Sequence, residues 1–516
     1  INDLYFALDV RGAELAWTSL VKGVALGVGG PLLASIGPAR EATGAPPRLT
    51  LQRSAIESRA RHHVPRSVLL GLAVSALAAV LLALPTRDLL PAFAGVFAVV
   101  VGFACLVPGA ILVASRALVP LAARLFGGVG RLAARGVEAT LSRTGIAVAA
   151  LVIAVATTLG IAIMVSSFRA TLIDWLEVTL QADVYVTSTQ QNARGESPPL
   201  DPAWIDDLSS ASGVAHVTTY RRVLTAVDGV GESRLHAVHM SRRAFEIFRF
   251  ADAGSDSAAD RDALYGRFAK AEGVLVSEPY AYRHGLTAGD RLTVRSANGP
   301  VDTTILAVFY DYASDRGVMM AHRAFYDRHW ADPAIHSLGL YLDSGQDADA
   351  AVERLRALVP TEAVIVVPNR ELKRSSLEIF DRTFRITGVL RILAVAVAFL
   401  GILSALMALQ LERARELGVL RATGLVPRQV WALVTAQTGL LGLLSGLLAV
   451  PLGTLLATLL IHVINKRSFG WTLHMEIPPS ALLQTIALAL VAALLAGLWP
   501  AHRMARSSPA LALREE

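Results

Sequence analysis

One short charged stretch, ERARELGVLRATGLVPRQV (412–430), has residue types and a spacing that suit binding to a charged partner. Glu412 and Arg415 are three residues apart and would pair on a helix surface. Gly424 suits the position just past a helix end, and Pro427 suits the first turn of a following helix. The pattern predicts a short helix, a turn and a second helix. An arginine-rich loop that only follows membrane topology would have the same composition, and this alternative stays open.

Other residues with chemical potential form weaker patterns. His236 and His239 are three apart in a β-like run, without a carboxylate at a familiar ligand spacing, so the sequence predicts no metal site there. Ser277 precedes Glu278, but no GxSxG context surrounds them, which disfavours a hydrolase. We therefore predict no catalytic residues and no metal or other cofactor in this chain.

The composition indicates a membrane protein. The chain is 53% hydrophobic and 17% charged, and its mean hydropathy is +0.49. Those values lie outside the usual range of soluble globular proteins. A disulfide framework is excluded because Cys105 is the only cysteine.

Seven apolar segments are long enough to cross a bilayer, which takes about 20 apolar residues. They are 15–37, 67–86, 89–115, 145–167, 387–411, 431–463 and 480–500. The segment 431–463 is longer than one crossing and contains Pro451, so a tilt, a kink or a projecting end is expected. Asp381, Arg382 and Arg385 precede the fifth segment and suggest a solvated helical stalk rather than a substrate gate.

The arginine distribution predicts the orientation, because basic residues are retained on the cytoplasmic side in short loops. Loops 38–66 and 116–144 are rich in arginine and are placed inside; the stretch 412–430 and the C-terminus then fall inside by alternation. The insert 168–386 falls outside. It has 24 basic and 30 acidic residues, against 24 and 12 in the rest of the chain, so charge is partitioned between the two parts.

The insert has the pattern of a folded α+β domain. Runs at 182–188, 273–280 and 290–296 read as strands, and 347–359 reads as a helix. Residues 251–262 read as a loop or mobile linker. The predicted fold class is therefore an α-helical polytopic membrane protein of about seven spans with an inserted extracytoplasmic α+β domain.

Two regions resemble a known family. The stretch 412–430 resembles the signature of FtsX-like ABC transporter permeases, and 273–294 is similar to the MacB-type periplasmic core. The resemblance covers 117–516 and implies that the cytoplasmic helix docks on an ATPase. The ATPase-coupling residues that it implies are Glu412, Arg413, Glu416, Leu417, Gly418, Leu420, Arg421 and Gly424.

The extra spans resemble the long form of these permeases, in which two modules are fused through a two-span linker. Residues 38–52 match 500–514 at five of fifteen positions, which favours two copies of one module with the first retained from its last span onward. We therefore expect an earlier copy of the motif upstream of Ile1. The predicted domains are the end of a first permease module (1–37), a basic cytoplasmic linker (38–66), a two-span linker (67–116), a lead-in with one span (117–167), the MacB-like domain (168–386) and the FtsX-like permease domain (387–516).

The resemblance implies a non-catalytic permease in the bacterial inner membrane, with a separate cytoplasmic ABC ATPase, in two copies, that binds the ATP. No P-loop pattern GxxxxGK[ST] occurs in the sequence. Expected partners also include membrane lipids, an amphiphilic cargo (a lipoprotein, lipid, peptide or drug) and a periplasmic protein, but no nucleic acid. The alternative is a signalling device that activates a periplasmic cell-wall hydrolase without transport, and the long architecture favours transport.

Overall fold

The computed structural model describes residues 17–44, 53–189, 198–253, 257–360, 362–422 and 424–506. Long helices dominate both ends of the described chain, and a mixed α/β domain lies between them. The long helices are α1 (Trp17–Gly44), α2 (Arg53–Ala83), α3 (Leu89–Thr179), α10 (Asn369–Ala422), α11 (Pro427–Leu459) and α13 (Pro479–Arg506). A π-helical segment (Leu460–Asn465) and the short α12 (Lys466–Phe469) follow α11 without a break.

Five helical segments in the described part of the chain are long and apolar enough to cross a membrane. They are Val64–Ala83, Leu89–Pro120, Gly145–Thr179, Pro427–Phe469 and Pro479–Leu498. The two remaining predicted spans, 15–37 and 387–411, coincide with shorter apolar helical stretches at Leu20–Leu32 and Ile392–Gly401. A helical membrane protein with an inserted domain is thus confirmed.

Helix α3 is much longer than any of the predicted spans. It has 91 residues and combines two predicted spans with the basic lead-in between them. Non-helical backbone occurs only at Gly127, with φ 59° and ψ −139°. Such a conformation is open to glycine because it has no Cβ, so Gly127 is where the helix changes direction.

The apolar helices pack through small residues. A Cβ atom added to Gly453 of α11 would lie 2.8 Å from the Ala156 carbonyl oxygen of α3, and one added to Gly442 would lie 2.6 Å from the Ala493 Cβ of α13. These glycines let the backbones of three helices approach closely, a common basis of helix association in membranes. Buried residues such as Val152 join the same helices in one core.

The inserted domain is built on one ten-stranded mixed sheet. Its strands are β1 (Val184–Ser188), β2 (Val214–Val227), β3 (Gly231–Val238), β4 (Phe250–Asp252), β5 (Val274–Ser277), β6 (Arg291–Ser296), β7 (Gly299–Phe309), β8 (Met319–His322), β9 (Ser337–Leu342) and β10 (Val364–Pro368). The order is β10-β1-β9-β2-β3-β8-β5-β7-β4, and β6 pairs with β2 and β7. The pairs β3–β8 and β5–β7 are parallel.

Short helices complete this α+β domain. They are α4 (Pro202–Ser209), α5 (Arg242–Ile247), α6 (Ala258–Ala269), α7 (Glu278–His284), α8 (Arg323–Trp330) and α9 (Ala348–Arg356). The α+β class is confirmed, and so are the predicted strands at 182–188 and 290–296 and the helix in 347–359.

Two local predictions were wrong in part. The strand predicted at 273–280 ends at Ser277, because Pro279 lies in the first turn of α7, where it lacks an N–H to give to a neighbouring strand. The loop predicted at 251–262 holds the end of β4 and the start of α6, whose first turn is capped by the Ser257 hydroxyl. Residues 254–256 of that stretch lie outside the described residues.

Candidate functional site

The predicted ATPase-coupling stretch forms the end of a long helix. Its backbone is helical up to Ala422, the last residue of α10, and Gly424 follows with φ 110°, a left-handed conformation that favours glycine. The prediction of a separate short helix was therefore wrong, because the preceding span continues into the stretch without a break. The side chains of Glu412, Arg413, Glu416, Leu417, Leu420 and Arg421 lie outside the described residues, and the role of these positions and of Gly418 stays a prediction.

The last residues of the stretch have a structural role. Helix α11 begins at Pro427, as its position in the sequence predicts. The Gln429 side chain accepts a hydrogen bond from the Val426 backbone N–H at 3.1 Å, which satisfies one of the first N–H groups at the helix end. Val430 is fully buried, whereas Arg428 is exposed. Among the described side chains between Gly424 and Val430, Arg428 is the charged one, and it is exposed to a possible partner.

At the opposite end of the apolar helices, a buried carboxylate joins the α+β domain to the membrane helices. Glu278, in the first turn of α7, accepts hydrogen bonds from the Thr472 backbone N–H at 2.9 Å and the Thr472 hydroxyl at 2.6 Å. The ammonium group of Lys466, in α12, forms an ion pair with the same carboxylate. The Glu278 side chain is 10% exposed and that of Lys466 is 28% exposed, so solvent screens this pair far less than a surface pair.

The chain around Thr472 forms a junction loop, residues 470–478, which is bound from two sides. From the α+β domain, the Tyr312 hydroxyl donates a hydrogen bond to the Thr472 carbonyl at 2.7 Å. Burial raises the pKa of this hydroxyl well above its usual range, so it remains a donor. From α3, the Ser167 hydroxyl oxygen accepts a hydrogen bond from the Glu476 N–H at 2.9 Å.

Two helical stalks connect the membrane helices to the α+β domain. One is the C-terminal part of α3 and the other is the N-terminal part of α10. Phe168 packs edge-on against Phe380 with ring centroids 5.2 Å apart, and Arg169 pairs with Asp381 at 3.2 Å. The ion pair is about half exposed, and Arg382 and Arg385 are exposed. The prediction of a solvated helical stalk is confirmed for these residues.

The turn between α2 and α3, residues 84–88, also contacts both parts of the molecule. Arg467 donates hydrogen bonds to the carbonyl groups of Leu82 and Leu84, each at 3.0 Å. The Arg87 guanidinium lies 5.2 Å from the centroid of the Tyr282 ring, where cation–π attraction operates. The predicted two-span linker is thereby attached to α12 on one side and to α7 on the other.

The remaining sequence candidates have structural roles. The Ser277 hydroxyl accepts a hydrogen bond from the buried Val318 N–H at 2.9 Å, which ties two chain segments together. His236 lies in β3 and His239 just after it, and no group of three potential metal ligands occurs among the residues that the structure describes. Sequence reasoning missed the Glu278–Lys466 pair. Its only signal was Lys466 itself, one of four lysines in the chain, at the end of an apolar segment.

Comparisons with known proteins match both parts of the chain. Residues 388–509 match the family described as FtsX-like permease C-terminal, and residues 144–358 match the MacB-like periplasmic core domain. The chain is 39% identical to an uncharacterized ABC transporter permease protein of Mycobacterium tuberculosis over 521 aligned residues. That alignment covers 100% of this chain and 60% of the relative, so the chain spans less than two thirds of the length of that protein.

Two further similarities are more limited. The lipoprotein-releasing system transmembrane protein LolC of Haemophilus influenzae is 32% identical over 132 residues, which cover 25% of this chain and 33% of LolC. The crystal structure of the periplasmic region of MacB from Actinobacillus actinomycetemcomitans aligns with a TM-score of 0.28 and 11% identity. It covers 39% of this chain and 94% of that structure.

Proposed function

Because residues 388–509 match the FtsX-like permease C-terminal family and residues 144–358 match the MacB-like periplasmic core domain, we propose that the chain is the permease subunit of an ABC transporter. In this proposal a separate ATPase supplies energy through the cytoplasmic end of α10. The movement passes to the α+β domain outside the membrane, which extracts or expels an amphiphilic cargo. The chain lies in the bacterial inner membrane with its C-terminus inside.

The single observation that carries this proposal is the continuity of α10. The helix begins at Asn369, directly after β10 of the α+β domain, and reaches Ala422 in the predicted ATPase-coupling stretch. Its 54 residues correspond to a length of about 80 Å. A continuous helix transmits a displacement at one end to the other because its backbone hydrogen bonds resist stretching. The predicted coupling end and the domain end thus belong to one continuous helix.

The source of energy is proposed to be a partner because the sequence has no P-loop. Two copies of an ABC ATPase would bind ATP, approach each other and push on the coupling stretch. Carboxylates and guanidinium groups at 412–421 suit such a contact, since charge-assisted hydrogen bonds fix orientation as well as affinity. The chain itself would then carry no catalytic residues and no cofactor.

The apolar composition of the spans supports an amphiphilic cargo. The segment Gly145–Thr179 has the largest buried share of the five apolar helices, and its neighbours in the core are aliphatic. A pathway for small ions would need charged side chains inside the membrane. A cargo with its own apolar part is better matched to these spans. A lipoprotein, which the name of LolC says its system releases, is an example of such a cargo.

Two substitutions in the coupling stretch test the proposal. The chain is reconstituted in nanodiscs with the ABC ATPase that co-purifies with it, and ATP hydrolysis is measured with and without the permease. Glu416→Lys and Gly418→Trp are expected to reduce stimulation of the ATPase about tenfold or more, since like charge or steric overlap at an interface costs several kcal/mol. Membrane insertion should remain normal in both variants.

Matched controls come from the same helix, outside the stretch. Glu378→Lys changes an exposed carboxylate, and Gly388→Trp enlarges a glycine whose added Cβ would meet no atom within 4 Å. Both should stimulate the ATPase as the wild type does. If Glu416→Lys and Gly418→Trp stimulate the ATPase and co-purify with it as the wild type does, the stretch is only an arginine-rich loop that follows membrane topology. Mass spectrometry of lipids and proteins bound to the full-length protein then separates transport from signalling, because only transport requires a bound amphiphile.

A further inference from the structure

A cavity of about 250 Å³ lies between the end of α3 and the sheet of the α+β domain. Its wall on one side is formed by the last turns of α3, including Trp175 and Val178. On the other side are residues of β1, β2, β3, β7, β8 and β9, so the cavity spans the middle of the sheet. A water molecule occupies about 30 Å³ of liquid, so this volume is that of a small organic group.

The lining of the cavity is mainly apolar and aromatic. Aromatic rings come from five different elements and from the segment after α5: Trp175, Tyr185, Tyr220, Phe248, Phe309 and Tyr341. Val238, Leu338 and Met320 add aliphatic or thioether surface. A concave, largely apolar site with a few polar groups is the usual form of a small-molecule pocket.

The lining includes a buried ring nitrogen without a hydrogen-bond partner among the described residues. The Nε2 atom of His236 is buried, and no hydrogen-bond partner for it exists among the described residues. Burial, together with the positive charges of Arg222 and Arg234, lowers the pKa of His236 to about 3, so the ring is neutral at physiological pH. A buried polar atom without a partner is costly, and a ligand group that forms the hydrogen bond removes this cost.

We propose that this cavity binds the apolar part of an uncharged amphiphile, whose single hydroxyl or carbonyl group forms a hydrogen bond with His236. The proposal rests on the proposed function, because it assigns the amphiphilic cargo a binding site in the α+β domain. An uncharged head is favoured over a carboxylate because the buried acidic residue Asp311 lines the same cavity and would repel an anion.

The effect of a ligand bound in the cavity would be transmitted to the membrane helices through α3. Trp175, which lines the cavity, packs edge-on against Tyr312 with ring centroids 6.2 Å apart. Tyr312 in turn holds the junction loop through its bond to Thr472. A ligand that presses on the end of α3 is therefore placed to shift a stalk and the loop together.

Photolabelling of the full chain in nanodiscs tests the site. The probe is decanol carrying a diazirine on its alkyl chain, and adducts are located by peptide mass spectrometry. Wild type is expected to give adducts on cavity residues of α3 and β9, in addition to any on the apolar helices. Thr219→Trp should reduce the cavity adducts at least tenfold, because the indole fills the cavity from β2.

The matched control is Thr304→Trp, a half-buried threonine of β7 that does not line the cavity. It should leave the cavity adducts unchanged. If Thr219→Trp does not fold, His236→Phe serves instead, because it keeps a ring and removes the nitrogen atoms. It should reduce labelling by diazirine decanol several-fold but leave labelling by diazirine decane unaltered, since the alkane has no group to bond.

Three results would overturn the site: wild-type adducts confined to the apolar helices, equal labelling of wild type and Thr219→Trp, or stronger labelling by diazirine decanoate than by diazirine decanol. A different result addresses the proposed function alone. In a second assay, decanol is added to the permease with its co-purified ATPase, and ATP hydrolysis is measured. If the cavity is labelled as expected but decanol stimulates the ATPase equally with wild type and with Thr219→Trp, the site stands and its role in coupled transport fails.

Discussion

At the scale of single residues, one buried carboxylate has three partners in the junction between the α+β domain and the membrane helices. Glu278 accepts bonds from an ammonium, a hydroxyl and a backbone N–H, which together satisfy both of its oxygens. Its position in the first turn of α7 adds the favourable field of the helix N-terminus. Removing the charge would leave Lys466 partly buried without its anionic partner.

We therefore predict that Glu278→Gln destabilises the junction. The loss should be about 2 kcal/mol, less than the 3–5 kcal/mol typical of a fully buried pair because Lys466 retains some exposure. The midpoint of thermal unfolding of the purified protein in detergent should fall by several degrees, roughly 2–4 °C per kcal/mol for a domain of this size.

The control for this measurement is Glu378→Gln, which breaks the exposed Arg374–Glu378 pair on α10. Both side chains of that pair are more than half exposed, so the midpoint should not change measurably. Equal midpoints for Glu278→Gln and wild type would show that the junction does not depend on the ion pair.

At the scale of elements, two long helices, α3 and α10, connect the α+β domain to the membrane through their stalks. The α10 stalk packs on the α3 stalk through a buried cluster that includes Leu176, Leu372 and Phe380. The outer face of α10 at Thr383 is exposed, and the Thr383 hydroxyl donates a hydrogen bond to the Ile379 carbonyl at 2.9 Å. Substitution there changes the stiffness of the helix with little effect on the packed face.

We predict that Thr383→Pro uncouples the ATPase from the domain. Proline removes a backbone hydrogen bond and its ring clashes with the preceding turn, which costs about 3 kcal/mol and bends the helix. Stimulation of the co-purified ATPase should fall to near its basal rate, while limited proteolysis should find the α+β domain intact. Thr383→Ala, which keeps the helix, should stimulate normally. Full stimulation in the proline variant would exclude α10 as the mechanical link.

At the scale of the whole molecule, charge and hydropathy divide the chain between the cytoplasmic side, the membrane and the outside. The insert carries a net negative charge and the rest of the chain a net positive charge. Basic loops are retained on the cytoplasmic side, and this rule places the α+β domain outside. The structure puts that domain and the predicted coupling stretch at opposite ends of α10, which agrees with such an arrangement.

This topology predicts the result of cysteine labelling in intact cells. In a Cys105→Ser background, Ser209→Cys on the exposed surface of α4 should react with a membrane-impermeant maleimide before lysis. Arg428→Cys, exposed at the start of α11, should react only after lysis. If Ser209→Cys is modified only after lysis, the proposed orientation is rejected.

The sequence alone determined the features that depend on local composition and spacing. Apolar runs located the spans, alternation located strands such as β1 and β6, and Gly424 and Pro427 located the turn after α10, because each signal is contained in one short segment. The coupling role of 412–424 stays a prediction. The sequence missed the continuity of α10, since a charged segment reads as an interruption even where the helix continues.

Only the tertiary structure decided which distant residues meet. Glu278 and Lys466 are 188 positions apart, and the cavity takes its lining from α3 and from six strands. No local pattern encodes such contacts, because their free energy depends on the packing of whole elements and on the burial that this packing produces. His236 illustrates the reason. In the sequence it is a histidine in a β-like run. Only the fold buries its ring against Tyr220 at the cavity and leaves the Nε2 atom without a hydrogen-bond partner among the described residues, which makes it a candidate ligand-binding group.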